Sequence, residues 1–131
     1  MKLLLRKGTT SKLIRFVVLD SSSTIGARRT GLTSTSFTAF YIREGQNNEV
    51  AITLSVGVLG TWSSGGLKEI DATNMPGWYE LGIPDAALAN GADSVGLCLK
   101  DAAANNIVQV DMEIQLGPVD RLPHDWQLGG Y

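Results

Sequence analysis

The chain has 131 residues, enough for one domain whose core hides about two-thirds of the surface its unfolded form exposes. Its 11 Lys+Arg against 13 Asp+Glu, net −2, exclude the basic balance of a nucleic-acid binder or of a protein drawn to an anionic membrane. One cysteine, Cys98, excludes an internal disulfide, and no Cys/His cluster has zinc spacing.

The start, Met1 to Leu5, is leucine-rich, but Arg6 and Lys7 cut it far short of a signal peptide or a membrane span. A reducing cytoplasm, or a particle assembled in one, is therefore the expected location. Seven of the first 29 residues are basic (Lys2, Arg6, Lys7, Lys12, Arg15, Arg28, Arg29) and one is acidic, Asp20. The remainder holds four basic residues against twelve acidic ones. This asymmetry of about +6 and −8 suits orientation of one copy against another or against an acidic neighbour. A plainer reading, basic side chains solvating the flanks of two apolar strands, stays open.

Periodicity of two dominates the chain from Lys12 to Leu116. Lys12 to Leu19 and Phe37 to Arg43 are rich in the β-branched and aromatic residues that strands favour. Val50, Ile52, Leu54 and Val56 alternate with small or polar residues, as do Tyr79, Leu81 and Ile83, then Val95, Leu97 and Leu99, and finally Val108 through Leu116. With Lys2 to Arg6 and Gly66 to Ile70 these make about seven strands. Asp20 to Ser36 and Glu44 to Glu49 read as loops. Pro84 to Gly91 is the one helical signal: Pro and Asp at its start, alanines within, Asn90-Gly91 as its stop. Short strands at this spacing predict an all-β fold, an immunoglobulin-like antiparallel β-sandwich with one short helix, spanning residues 1–116. Residues 117–131 (GPVDRLPHDWQLGGY) cannot build a core and read as an extended C-terminal arm. Both ends are expected to be held, on this domain or on a neighbour, because free termini fray.

Catalytic chemistry finds little support. The sole histidine, His124, lies in the arm beside Asp125, and no nucleophile-elbow motif accompanies it. Asp111 and Glu113 occupy alternate positions opposite an apolar stripe, the pattern of a solvated face. Nothing near Cys98 in sequence lowers a thiol pKa, and Asp101 to Asn106 and Asn47 to Glu49 lack the ligand spacing of a calcium loop. No catalytic residue, cofactor or metal is expected, and the chain reads as a non-enzyme. Among the aromatics, Tyr79 is in phase with the core and Trp62 plugs a sandwich end. Trp78 is the one placed outward, which admits a single sugar contact. Trp126 and Tyr131 read as anchors of the arm.

The order of segments resembles a group of bacteriophage virion proteins. The likeness runs through SSSTIGARRTGLT (Ser21 to Thr33), TAFYIREG (Thr38 to Gly45), GTWSSGG (Gly60 to Gly66), EIDATNMPGWYELGIPDAALANGADSV (Glu69 to Val95) and the closing EIQL (Glu113 to Leu116). More distantly the layout is similar to the N-terminal module of phage baseplate upper proteins. The resemblance implies a virion structural protein, of tail-fibre or baseplate type, and carries no catalytic residues.

The expectation is thus an adaptor that joins tail-fibre or baseplate components by protein-protein contacts, as a homo- or hetero-oligomer in the particle, with neither nucleic acid nor membrane as partner. Partner-binding residues are expected at Leu3, Leu5, Arg6, Arg28, Arg29, Trp78, Trp126 and Tyr131, and a stable site needs more than about 1,200 Å² of contact. A capsid decoration protein is the nearest alternative. A carbohydrate-binding module for host-surface glycan is the alternative of a different class.

Overall fold

A computed structural model describes residues 2–117. Nine strands among these residues form two sheets packed face to face. The larger has the order β1 (Lys2–Arg6), β9 (Val110–Gly117), β8 (Ser94–Asp101), β3 (Phe37–Arg43), β4 (Val50–Ile52). The smaller has β2 (Leu13–Val17), β7 (Met75–Gly82), β6 (Gly66–Asp71), β5 (Ser55–Val56). The runs β9-β8-β3 and β2-β7-β6 reproduce the central strand neighbours of an immunoglobulin sandwich.

Three expectations need correction. The sheets are mixed rather than antiparallel throughout, because β1 runs parallel to β9 and β5 parallel to β6. Both parallel pairs lie at sheet edges, and neither pair is joined by a tight hairpin, the connection that would force an antiparallel direction. Second, the alternation from Val50 to Val56 is not one strand. β4 ends at Ile52 on the larger sheet, Thr53 and Leu54 cross the side of the sandwich, and β5 joins the smaller sheet. Burial decides the break: Ile52 is in the core while Val56 is 73% exposed. Third, Pro84 to Gly91 holds only a 3-10 helix, Asp85–Leu88. Pro84 and Ala89 flank it in extended conformations, and its Ala87 and Leu88 are fully buried, so packing of two side chains rather than helix propagation shapes this corner. A second 3-10 turn, Ser34–Ser36, precedes β3.

The core follows the period-two pattern. Phe16 on β2, Phe37 on β3 and Tyr79 on β7 meet at its centre, with ring centroids 5.9 to 6.3 Å apart in stacked and edge-on pairs. Leu81, Ile83, Leu99 and Ile114 surround them with no exposed surface. Each such side chain contributes roughly 1.5–3 kcal/mol on burial.

The outer face of the smaller sheet is covered by residues 57–65, which return from β5 to β6 as a strap. Trp62 Nε1 donates to Ile83 O at 3.0 Å and Gly65 N donates to Gly82 O at 2.8 Å. Glycines make the approach feasible. A Cβ on Gly82 overlaps the Ser63 carbonyl oxygen, and one on Gly65, at φ +76°, overlaps that of Thr53. Beneath the strap Glu80 is only 5% exposed, because Gly60 N donates to its carboxylate at 2.9 Å and Arg15 Nη2 lies 3.3 Å from it. The strand pattern placed Glu80 on the outward face, and the strap turns that face inward.

Candidate interaction surfaces

At one end of the sandwich lie the connections β2–β3 (18–36), β6–β7 (72–74) and β8–β9 (102–109). They are knitted by local hydrogen bonds. Arg29 Nε donates to Asn105 O at 2.8 Å, Ser21 N to Asn106 O at 3.0 Å, and Asp20 bridges to Ile107. Three aspartates organise the turns. Asp20 accepts from Ser22 through both backbone and hydroxyl, and these bonds hold its carboxyl below the usual value. Asp71 accepts from the Asn74 and Thr73 amides with the same effect. At Asp101 burial pushes the pKa upward, but bonds from Ala103, Asn105 and Ile107 outweigh it and leave the carboxyl acidic. The oxygens of Asp101 are thus aimed at amides of its own loop rather than into an open coordination site. Among the described residues no group of three His, Cys, Asp or Glu is arranged to hold a metal ion.

The expected partner-binding residues divide. Arg6 is exposed on the edge strand β1. Leu3 and Leu5, expected on the surface, pack half-buried against the core. Side chains alternate faces, so the leucine that β1 presents outward is Leu4, at 68% exposure. Arg28 lies exposed over Gly77, with Nη1 3.5 Å from Pro76 O. Arg29 is half-buried, and its Nε and Nη1 donate to Asn105 O and Thr30 O, which makes it a tie between loops. Trp126 and Tyr131, with the whole arm beyond Gly117 and with His124, lie outside the described residues.

Trp78, expected outward, is half-buried. It lines a trough of about 290 Å³ between the two sheets, with Arg15, Val17, Leu19, Val108 and Val110. Val108 itself falls outside β9, since its amide donates to Leu19 O. A sugar platform needs aromatic faces together in solvent. Trp62 is half-buried with its indole N–H bonded to Ile83, and Tyr79 is fully buried, so neither joins Trp78.

Two further surfaces emerge only from the folded arrangement. On the outer face of the larger sheet Phe40, Ile42, Gly96 and Cys98 form a shallow apolar trough of about 290 Å³ bordered by Glu49 and Asp111. Lys100 Nζ stands 5.6 Å from the Phe40 ring centroid. Along the β4/β5 side, Val56, Val58 and Leu59 are 73%, 67% and 41% exposed. The opposite side is formed by β1 and β2, with Lys2, Arg6, Arg15 and Leu4 exposed on it. Neither surface was legible beforehand: the alternation set Val56 in phase with the buried Ile52, Val58 and Leu59 lay outside it, and which side they occupy follows only from strand order.

No helix among the described residues is long and apolar enough to cross a membrane. Comparison of the chain with protein-family models, with curated proteins and with solved structures gives no match in any of the three.

Proposed function

We propose that this chain is a bacteriophage virion structural protein, an adaptor that joins tail-fibre or baseplate components by contact. One observation carries the reading from the geometry: large apolar side chains stay outside the core along both open sides of the sandwich, Leu4 on one and Val56, Val58 and Leu59 on the other. Exposed apolar edges are a liability in a free monomer and an asset in an assembly, where strand addition supplies backbone hydrogen bonds and the valines and leucine supply buried area. The resemblance of residues 1–116 to phage virion proteins gives the type of assembly. Contact, in place of chemistry, is the mode of action in this reading, and the chain is a non-enzyme.

Electron microscopy of purified particles carrying an antibody label on this chain tests the proposal. Label on the tail, at tens of copies, is expected. Label over the shell at hundreds of copies replaces the adaptor with a decoration protein, and absence from particles overturns the virion reading. Glycan binding that disappears in Trp78→Ala transfers the function to sugar recognition.

A further inference from the structure

The two outer strands of the larger sheet, β1 and β4, are complementary to each other. Among the described residues no strand pairs with the outer edge of either. Lys7 N donates to Gly117 O, and strand alternation then turns the backbone groups of Leu3 and Leu5 toward β9 and the amide and carbonyl of Leu4 away from it. On the other side Glu44 N donates to Ser94 O. That parity pairs Tyr41 with Val50 and Ala39 with Ile52 and leaves the amide and carbonyl of Ala51 pointing outward. Direction matches as well. β1 is parallel to β9, β9 and β8 are antiparallel, as are β8 and β3, and β3 and β4. Hence β1 and β4 run antiparallel within one sheet, and copies set side by side in the same orientation meet as an antiparallel pair.

We propose that β1 of one copy pairs with β4 of the next, Leu4 opposite Ala51, so that the five-stranded sheet continues from molecule to molecule. The occupant of each edge is a second copy of this chain, and charge complementarity selects it. In this register Arg6 stands opposite Glu49 and Lys2 opposite Thr53 on the outer face, while Leu3 meets Ile52 and Leu5 meets Val50 on the core face. Shifting by two residues in either direction sets Leu4 against Glu49 or against Thr53 and loses the Arg6–Glu49 pair. Pairing β1 with itself about Leu4 opposes Lys2 to Arg6, a like-charge contact. Pairing β4 with itself about Ala51 opposes Glu49 to Thr53 and gains no ion pair. The wider surroundings agree. The β1/β2 side carries Lys2, Arg6, Lys12 and Arg15, whereas residues 44–67, which include β4 and β5, hold Glu44 and Glu49 and no basic residue. On the same side as β4, the exposed Val56 and Val58 enlarge the contact. The interface joins two different edges, so it is heterologous and builds a ring when its rotation closes or a filament when it does not. This deepens the assembly reading, yet the two are separable: self-association is read on the purified chain, the station in the virion on particles.

Sedimentation velocity and light scattering across a concentration series of the full chain test the pairing. The wild type is expected to self-associate with concentration. Arg6→Glu and Glu49→Arg each place like charges in register and shift the midpoint to at least about tenfold higher concentration. An equimolar mixture of these two variants regains wild-type association, because each edge then meets its opposite charge; this recovery also proves both variants folded. Ala51→Pro removes the outward amide while leaving the β3 ladder intact, and abolishes association at an unchanged melting temperature. A wild type that stays monomeric throughout, or association indifferent to Ala51→Pro and to both charge reversals, overturns the proposal.

Discussion

The hydroxyl of Tyr79 donates to the carbonyl of Arg29 at 2.7 Å and accepts from the amide of Leu32 at 3.3 Å. A single side chain at the centre of β7 thus fastens the long β2–β3 connection to the core. Arg29 in turn reaches Asn105, so the same bond indirectly holds the β8–β9 loop. Tyr79→Phe keeps the ring contacts with Phe16 and Phe37 and deletes only these bonds. The expected cost is about 1–3 kcal/mol, measured by urea unfolding, with increased hydrogen exchange across residues 28–33 while β7 stays protected.

Burial also pushes the Tyr79 phenol up to about 12 from its ordinary value of 10.0. The unfolded chain therefore releases this proton at lower pH than the folded one. Stability is fully present below about pH 10 and is lost between about pH 10 and 12, to an extent of roughly 2–3 kcal/mol. Denaturant midpoints measured from pH 8 to 11.5 should fall in that window for the wild type and much less for Tyr79→Phe.

Glu80 and Arg15 form an asymmetric pair, the carboxylate side chain 6% exposed and the guanidinium side chain 56%. Arg15→Ala leaves a buried carboxylate with Gly60 N as its remaining partner, and is expected to destabilise by about 1–2 kcal/mol, below the full cost of breaking a buried pair because Arg15 is largely solvated. Adding Glu80→Gln removes the charge and keeps an acceptor for Gly60. The double variant should recover most of the loss in a thermodynamic cycle.

Gly82→Ala drives a methyl group into the Ser63 carbonyl oxygen. Backbone cannot yield as a side-chain tip does, so the strap must lift. An expected loss of about 1–3 kcal/mol should accompany new protease cleavage within residues 57–65 and a red shift of Trp62 fluorescence as its bond to Ile83 breaks.

Legibility in the sequence varies by element. β1 and β3 have their expected bounds and β6 begins where expected, because each is a short apolar or β-branched run bounded by charged or turn residues. Val50 to Val56 misled for a physical reason: alternation persists across a crossover whenever both strands turn one face toward the same core. Of the expected partner residues, Arg6 is exposed as expected, whereas Leu3 and Leu5 turn toward the core and Leu4 outward, because three consecutive leucines do not say which face is inward.

Local alternation and turn chemistry by themselves determined that this chain is all-β, which positions alternate, and where most strands lie, since those follow from side-chain direction and backbone dihedrals within a few residues. Only the tertiary structure decided that β1 lies parallel beside β9, that a strap buries Glu80, and that Arg6 and Glu49 end on opposite edges of one sheet. These are contacts between segments far apart in the chain, and their choice depends on which faces and edges remain unsatisfied after the local elements have formed.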